Sequence, residues 1–389
     1  MPAYGPTTRF HKPPMQSRIN RAWQEWIGHP KTNEVPLPSP SLELAAKLAL
    51  DEGLLWAMSK ATPQSSSPQD LASADRDLDR SLRFFEDMGW IDSPSEFHRK
   101  PPRLKQPDFT RAWRGTLRYE HMRFASGYAP HDDDPLREEW MSNKQNLTAH
   151  AWVLRHRNGV HPWIVCLHGY GMGSVWTDLA AFRAEYLHRQ LGMNVINYVA
   201  PLHGLRANAG AHGGEFFDGS PSSPVHGNAQ AIWDLRRILG WIRSHGPTRI
   251  GVHGISLGGS TAALLANYDA DLDCVIAGIP AIRIDELFRH HTKKEHQPSD
   301  DFWERLGRLQ SVISPLSQPS AVDRERLFIY AGVVDRLVPA KLPNDLWNHW
   351  GEPEMLWYHG SHVTSTMDTS VKSFIDRAFI ATQLATRSH

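Results

Sequence analysis

The residues with the clearest capacity for chemistry are Gly254-Ile255-Ser256-Leu257-Gly258, followed by Gly259, set between the apolar run Ile250-Gly251-Val252 and the helix-like run Ser260 to Ala266. A serine hydroxyl attacks a carbonyl well only when a tight strand-to-helix turn holds it out, and such a turn crowds its neighbours so that glycines must flank the serine. The helix that starts there aims free N–H groups and a positive dipole end at the charge that develops on the carbonyl oxygen. A bare G-x-S-x-G recurs by chance; a strand before it and a helix behind it make this one specific.

Such a nucleophile needs a base, and the base needs an orienting acid. Asp335 is the candidate acid, in Ala331-Gly332-Val333-Val334-Asp335-Arg336-Leu337-Val338-Pro339, directly after the strand-like run Leu327 to Tyr330. Its plainer reading is a turn or helix-capping aspartate. His362 is the candidate base, in His359-Gly360-Ser361-His362-Val363 after the run Met355 to Tyr358, with His359 as its chief rival. Upstream, Trp163-Ile164-Val165-Cys166-Leu167 leads into His168-Gly169-Tyr170-Gly171-Met172-Gly173. A glycine-rich loop leaving a strand lets a backbone N–H come close to a substrate oxygen. The N–H groups of Leu257 and Tyr170 are therefore the expected oxyanion donors, and His168 is expected to shape the loop. No G-x-x-x-x-G-K-[ST] or G-x-G-x-x-G pattern supports a phosphate loop instead.

The elements that must position these residues follow a βα rhythm. Strands are predicted at Leu117–Phe124, Ala149–Arg155, Trp163–Leu167, Asn194–Val199, Arg249–His253, Cys274–Ala277, Leu327–Tyr330 and Met355–Tyr358, with the first two as an opening hairpin-like pair. Helices are predicted at Trp176–Arg189, Ala229–Arg243 and the C-terminal end, each with an apolar stripe, and after Ser256. Three amphipathic helical patterns precede the strands, at Ser17–Ile27, Leu42–Met58 and Leu71–Met88, and Pro94–Pro107 reads as a linker. The organisation expected is an N-terminal helical extension and linker over 1–115 and a catalytic α/β domain over 116–389.

Lys and Arg total 42, as do Asp and Glu, so the formal charge is zero and nucleic acid is not an expected partner. No segment reads as a signal peptide or a membrane span. The two cysteines, Cys166 and Cys274, sit in apolar runs, which favours a reducing compartment, the cytoplasm by default. Histidines 203, 212 and 226, in or beside the glycine-rich loop from Ala200 to Pro224, are spaced too loosely to argue a metal site; histidines 290, 291 and 296 are expected to be solvated or packed within the segment 281–326, with a metal cluster as the alternative.

Taken together, the G-x-S-x-G turn, the H-G-x-G loop, the V-x-D-x-x-V-P-like segment at Asp335 and the G-x-H-V-like segment at His362, in that order, resemble the α/β-hydrolase superfamily of serine esterases and lipases from about Leu117 onward. The resemblance implies a mainly parallel sheet flanked by helices, a nucleophile after the fifth strand, an acid after the seventh and a histidine after the eighth, carried here by Ser256, Asp335 and His362. It implies no metal and no organic cofactor. It further implies that 281–326 forms a small helical lid bordering an acyl pocket. The expected activity is cleavage of a carboxylic ester or related acyl bond in a small molecule. The alternatives are a peptidase or acyltransferase with the same triad, or a catalytically silent binding protein. The N-terminal helices depart from the minimal fold and offer a surface for oligomer contact.

Overall fold

A computed structural model of the chain describes residues 35–61, 68–208, 216, 220 and 222–386. The predicted helix at Ser17–Ile27 and His212 lie outside the described residues. The centre is a nine-stranded sheet in the order β1-β2-β3-β5-β4-β6-β7-β8-β9. Its strands are β1 (Asp108–Arg114), β2 (Leu117–Ala125), β3 (Thr148–Leu154), β4 (Trp163–Leu167), β5 (Asn194–Val199), β6 (Ile250–Ile255), β7 (Cys274–Gly278), β8 (Leu327–Gly332) and β9 (Glu354–Tyr358). Pairs β1/β2, β2/β3 and β3/β5 are antiparallel, and every pair from β5 through β9 is parallel. The central strands β4 to β8 are buried along their whole length, as a sheet covered on both faces requires.

The order reverses at β4, which has β5 on one side and β6 on the other. Crevices form at such a point, beyond the carboxyl ends of the strands, and the loops carrying Tyr170 and Ser256 leave these two neighbours there.

The helices used below are α1 (Leu42–Ala61), α2 (Pro68–Asp87), α3 (Val175–Ala181), α4 (Ala184–Arg189), α5 (Ser223–Arg243), α6 (Leu257–Ala266), α7 (Ile284–His291), α8 (Asp300–Gln310) and α9 (Thr369–Ala381). Ser41 opens α1, its hydroxyl accepting the Leu44 N–H at 3.1 Å. In α2, Leu78, Leu82 and Phe85 fall on one face, and all three are buried in the same core cluster as Val165, Ile196 and Val252 of the sheet. Burial of each is worth roughly 1.5–3 kcal/mol.

Three expectations need correction. β1 lies just after the predicted linker Pro94–Pro107, within the portion 1–115 assigned to the helical extension and linker, and forms a hairpin with β2, so the sheet opens one strand earlier and the chain-order numbers of later strands rise by one. None of its residues is buried and only Phe109, Ala112 and Arg114 are partly buried, which leaves a weak apolar signal. The single helix predicted at 176–189 is broken into α3 and α4 at Arg183, which sits at φ 49 with its guanidinium tied to Asp376 of α9 at 2.6 Å. Finally, α5 starts at Ser223, six residues before the predicted Ala229, because Pro224 is tolerated in a first helical turn.

Candidate active site

Ser256 stands between β6 and α6 at φ 58, ψ −115, a strained conformation for a residue with a side chain. Crowding holds it there. A β-carbon on Gly254 would lie 1.9 Å from the Gly258 carbonyl oxygen, and one on Gly258 would lie 1.9 Å from that of Leu167 at the end of β4. Neither contact is survivable, so glycine is required at both positions. Within Ile250–Asn267 every residue is buried except Ser256, which is partly exposed.

Beside the turn runs the glycine-rich loop. A β-carbon on Gly169 would come 3.4 Å from that of Ser256, which sets the backbone leading into Tyr170 against the serine. His168 is buried, faces Gly169 O through Nδ1 at 2.7 Å and accepts the Ala200 N–H on Nε2 at 3.0 Å, so its free proton belongs on Nδ1. Burial lowers its pKa to about 4, in keeping with a neutral ring that shapes the loop. Leu257 is the first residue of α6, and a first-turn N–H has no acceptor within its own helix.

From Ser256 a series of backbone hydrogen bonds steps across the carboxyl ends of the strands. The Ser256 N–H donates to Gly278 O of β7 at 2.9 Å, Ile279 N–H to Tyr330 O of β8 at 2.7 Å, and Val334 N–H to Gly360 O beyond β9 at 3.2 Å. Asp335 and His362 follow immediately. His362 Nδ1 lies 2.7 Å from Asp335 Oδ2, with both side chains largely buried. The other Asp335 oxygen accepts the N–H groups of Leu337 at 2.9 Å and Val338 at 2.8 Å, so the turn aspartate and the partner of histidine are one residue. Burial pushes the His362 imidazole down, but the charge and hydrogen bond of Asp335, with the charge of Asp51, outweigh it and leave its pKa raised above 6.5. The rival His359 is exposed, and its carbonyl accepts Lys47 Nζ at 2.7 Å.

Asp51 of α1 is the residue that sequence reasoning missed. It is fully buried; its Oδ2 accepts the N–H groups of Arg336 at 3.0 Å and His362 at 2.9 Å, and its Oδ1 accepts that of Val363 at 3.0 Å. Beside it, Leu44 and Leu48 pack on Val333 and Val334, and Arg336 Nε reaches Glu52 at 2.7 Å. The available signal was a carboxylate three residues after Leu48, on the inward apolar stripe of a helix.

The segment 281–326 carries α7 and α8. Together with Ser260, one turn beyond Ser256, and Leu342 it borders a cleft of 1080 Å³ whose wall mixes Ile282, Ile284 and Trp303 with Arg283, Asp285 and Arg289. His291 Nε2 lies 2.8 Å from Leu337 O, two residues past Asp335. His203 is buried with its Nδ1 2.8 Å from Pro201 O, and Tyr128 OH lies 3.0 Å from His226 Nδ1. Among the described residues no three His, Cys, Asp or Glu side chains are grouped to hold a metal ion, and no helix is long and apolar enough to cross a membrane. Cys166 and Cys274 are buried and unlinked.

The strand order, the parallel centre and the serine turn between β6 and α6 define an α/β-hydrolase-fold protein. Within that class, the chain belongs to the family of the uncharacterized protein Rv2627c of Mycobacterium tuberculosis, to which it is 35% identical over 366 residues, 92% of this chain and 87% of the relative. An uncharacterized protein of a second strain of that organism matches to the same extent. No family model matches the chain. Among solved structures it is similar to the acetyl xylan esterase of Paenibacillus sp. R4, with 16% identity, 73% of this chain and 93% of that one covered and a TM-score of 0.48. It is likewise similar to acetyl xylan esterase 1 of Thermoanaerobacterium sp. JW/SL YS485, with 14% identity, 76% and 93% covered and a TM-score of 0.45.

Proposed function

We propose that the protein is a serine hydrolase that cleaves carboxylic esters or related acyl bonds of small molecules through an acyl-enzyme. One observation carries the reading: a strained, partly exposed serine follows the carboxyl end of β6, and a histidine hydrogen-bonded to a buried carboxylate follows that of β9 in the same parallel run of strands. In the reaction, His362 takes the Ser256 proton through Nε2 while Asp335 holds Nδ1 and steadies the imidazolium. The Ser256 oxygen attacks the substrate carbonyl, and the N–H groups of Leu257 and Tyr170 hold the resulting oxyanion. Collapse breaks the bond to the leaving group, which departs with the proton from His362. Water, deprotonated by the same imidazole, then attacks the acyl-Ser256 ester and releases the acid.

The α7–α8 segment serves in this reading as the lid beside the acyl group, and its mixed wall favours a substrate with polar as well as apolar parts. Hydrolysis of short p-nitrophenyl esters and labelling by a fluorophosphonate probe test the proposal. Wild type is expected to do both and Ser256→Ala neither; a wild type inert in both assays, or a Ser256→Ala variant that behaves as wild type, overturns it. Adding an alcohol or amine acceptor to the ester assay separates hydrolysis from acyl transfer.

A further inference from the structure

We propose that Asp51 is a positioning residue of the active site: from the N-terminal helix its one carboxylate fixes the loops of the acid and the base relative to each other. The inference rests on the triad reading above. Its ground is where the three donors lie in the chain. Arg336 follows Asp335 directly, His362 is the base itself, and Val363 follows it, so the carboxylate holds the backbone at or next to both partners of the 2.7 Å bond. The two loops also meet directly, through Val334 N–H and Gly360 O at 3.2 Å and through the Asp335–His362 bond; the tie from Asp51 adds to these from a distant part of the chain, 285 and 311 residues earlier.

The arrangement is selective for a carboxylate. Both Asp51 oxygens face backbone N–H groups, so an amide in its place would set its own N–H against a donor, and that clash has no internal solution. The charge environment on each side is defined. Asp335 and His362 face Asp51 from the loops, the Arg336 guanidinium is drawn aside by Glu52, and Lys47, one turn back on α1, is held by Glu43 and the His359 carbonyl. Asp51 thereby adds a second negative charge near His362, beyond that of its hydrogen-bonded partner. A scaffold contact alone would not need this: Leu44 and Leu48 already anchor the helix by packing.

The test compares Asp51→Asn and Asp51→Glu with wild type and Ser256→Ala in p-nitrophenyl ester turnover, fluorophosphonate labelling rate and pH profile. Because a misplacement of about 1 Å costs roughly a hundredfold, Asp51→Asn is expected to lower kcat by about ten- to a hundredfold with KM within about twofold. The acid limb of kcat/KM should move to lower pH, since an anion near the imidazole has gone. Asp51→Glu, which keeps both acceptors, should recover part of kcat. A folded Asp51→Asn with wild-type kcat and an unmoved acid limb overturns the proposal. Failure of both variants to fold overturns it too, by making the contact one of global stability. An inert wild type, or an active Ser256→Ala, defeats the triad and not Asp51 alone.

Discussion

Two elements converge on the carboxyl edge of the sheet and hold their side chains by opposite means. The β6–α6 turn fixes Ser256 by exclusion: with Gly254 and Gly258 packed against backbone oxygens there is no room for another path. Helix α1 fixes the His362 loop by attraction, through a buried carboxylate and three backbone N–H groups. The first device is local and indifferent to charge. The second joins distant parts of the chain and depends on a negative charge staying in place.

The sharpest way to break the comparison is at the proposed nucleophile. Ser256→Ala is expected to reduce ester turnover by roughly 10⁴-fold or more while leaving the melting temperature within a few degrees, read by steady-state kinetics and calorimetry. Gly258→Ala should do both kinds of damage, because its β-carbon would meet the Leu167 carbonyl at 1.9 Å; loss of fluorophosphonate labelling together with a lowered melting temperature is the expected result.

Next in size is the proposed acid. Asp335→Asn should cost roughly 10³- to 10⁴-fold in kcat by releasing the histidine tautomer. The wild-type pH profile carries a sign that can be checked in the same series. In the proposed reaction His362 must be neutral to act as base, and its partners raise its pKa above 6.5, so wild-type activity should fall as pH drops through a midpoint above 6.5. In Asp335→Asn that midpoint should move down. The linkage to stability has its own sign: a raised folded-state pKa stabilises the fold below the unfolded-state value, and the contribution disappears as pH rises through the folded one.

The same contrast accounts for what was legible in the chain. Exclusion is written in consecutive letters, so the turn at Ser256, the loop at His168 and the strands that end at them could be read directly; β4, β5, β6 and β8 start or end within two residues of expectation. Attraction over long separations leaves almost no local mark. Asp51 reads as an ordinary helix acid until the fold brings residues 336, 362 and 363 to it, and the break at Arg183 becomes sensible only with Asp376 beside it. β1 was hidden for another reason: an edge strand in a hairpin needs no continuous apolar run, and its neighbourhood is rich in proline and basic residues.

A further prediction separates the packing of α1 from its hydrogen bonds. Leu48 is fully buried against Val333 and Val334, so Leu48→Ala should destabilise the fold by about 2–5 kcal/mol in denaturant titrations. If α1 positions the base only while docked, ester turnover in this variant should be lost at lower denaturant than the bulk unfolding signal. Coincident loss by both probes would make α1 part of one cooperative unit and remove the distinction between anchor and positioner.

The smallest effect is expected one residue beyond Asp51. Glu52 reaches the Arg336 side chain at 2.7 Å, but the pair is partly solvated, with the Glu52 side chain 45% exposed, whereas Asp51 is wholly buried. Solvent screening and the entropy of ordering two long side chains leave such pairs worth about 0–1 kcal/mol. Glu52→Gln should therefore shift unfolding by less than about 1 kcal/mol, a difference that shrinks as salt is added. Neighbouring acids on one helix turn, touching the same residue 336, would then differ because one binds its backbone in the dry interior and the other its side chain in water. A Glu52→Gln effect as large as that of Asp51→Asn, and insensitive to salt, would mean that the charge of Arg336, and not the carboxylate at 51, holds the loop in place.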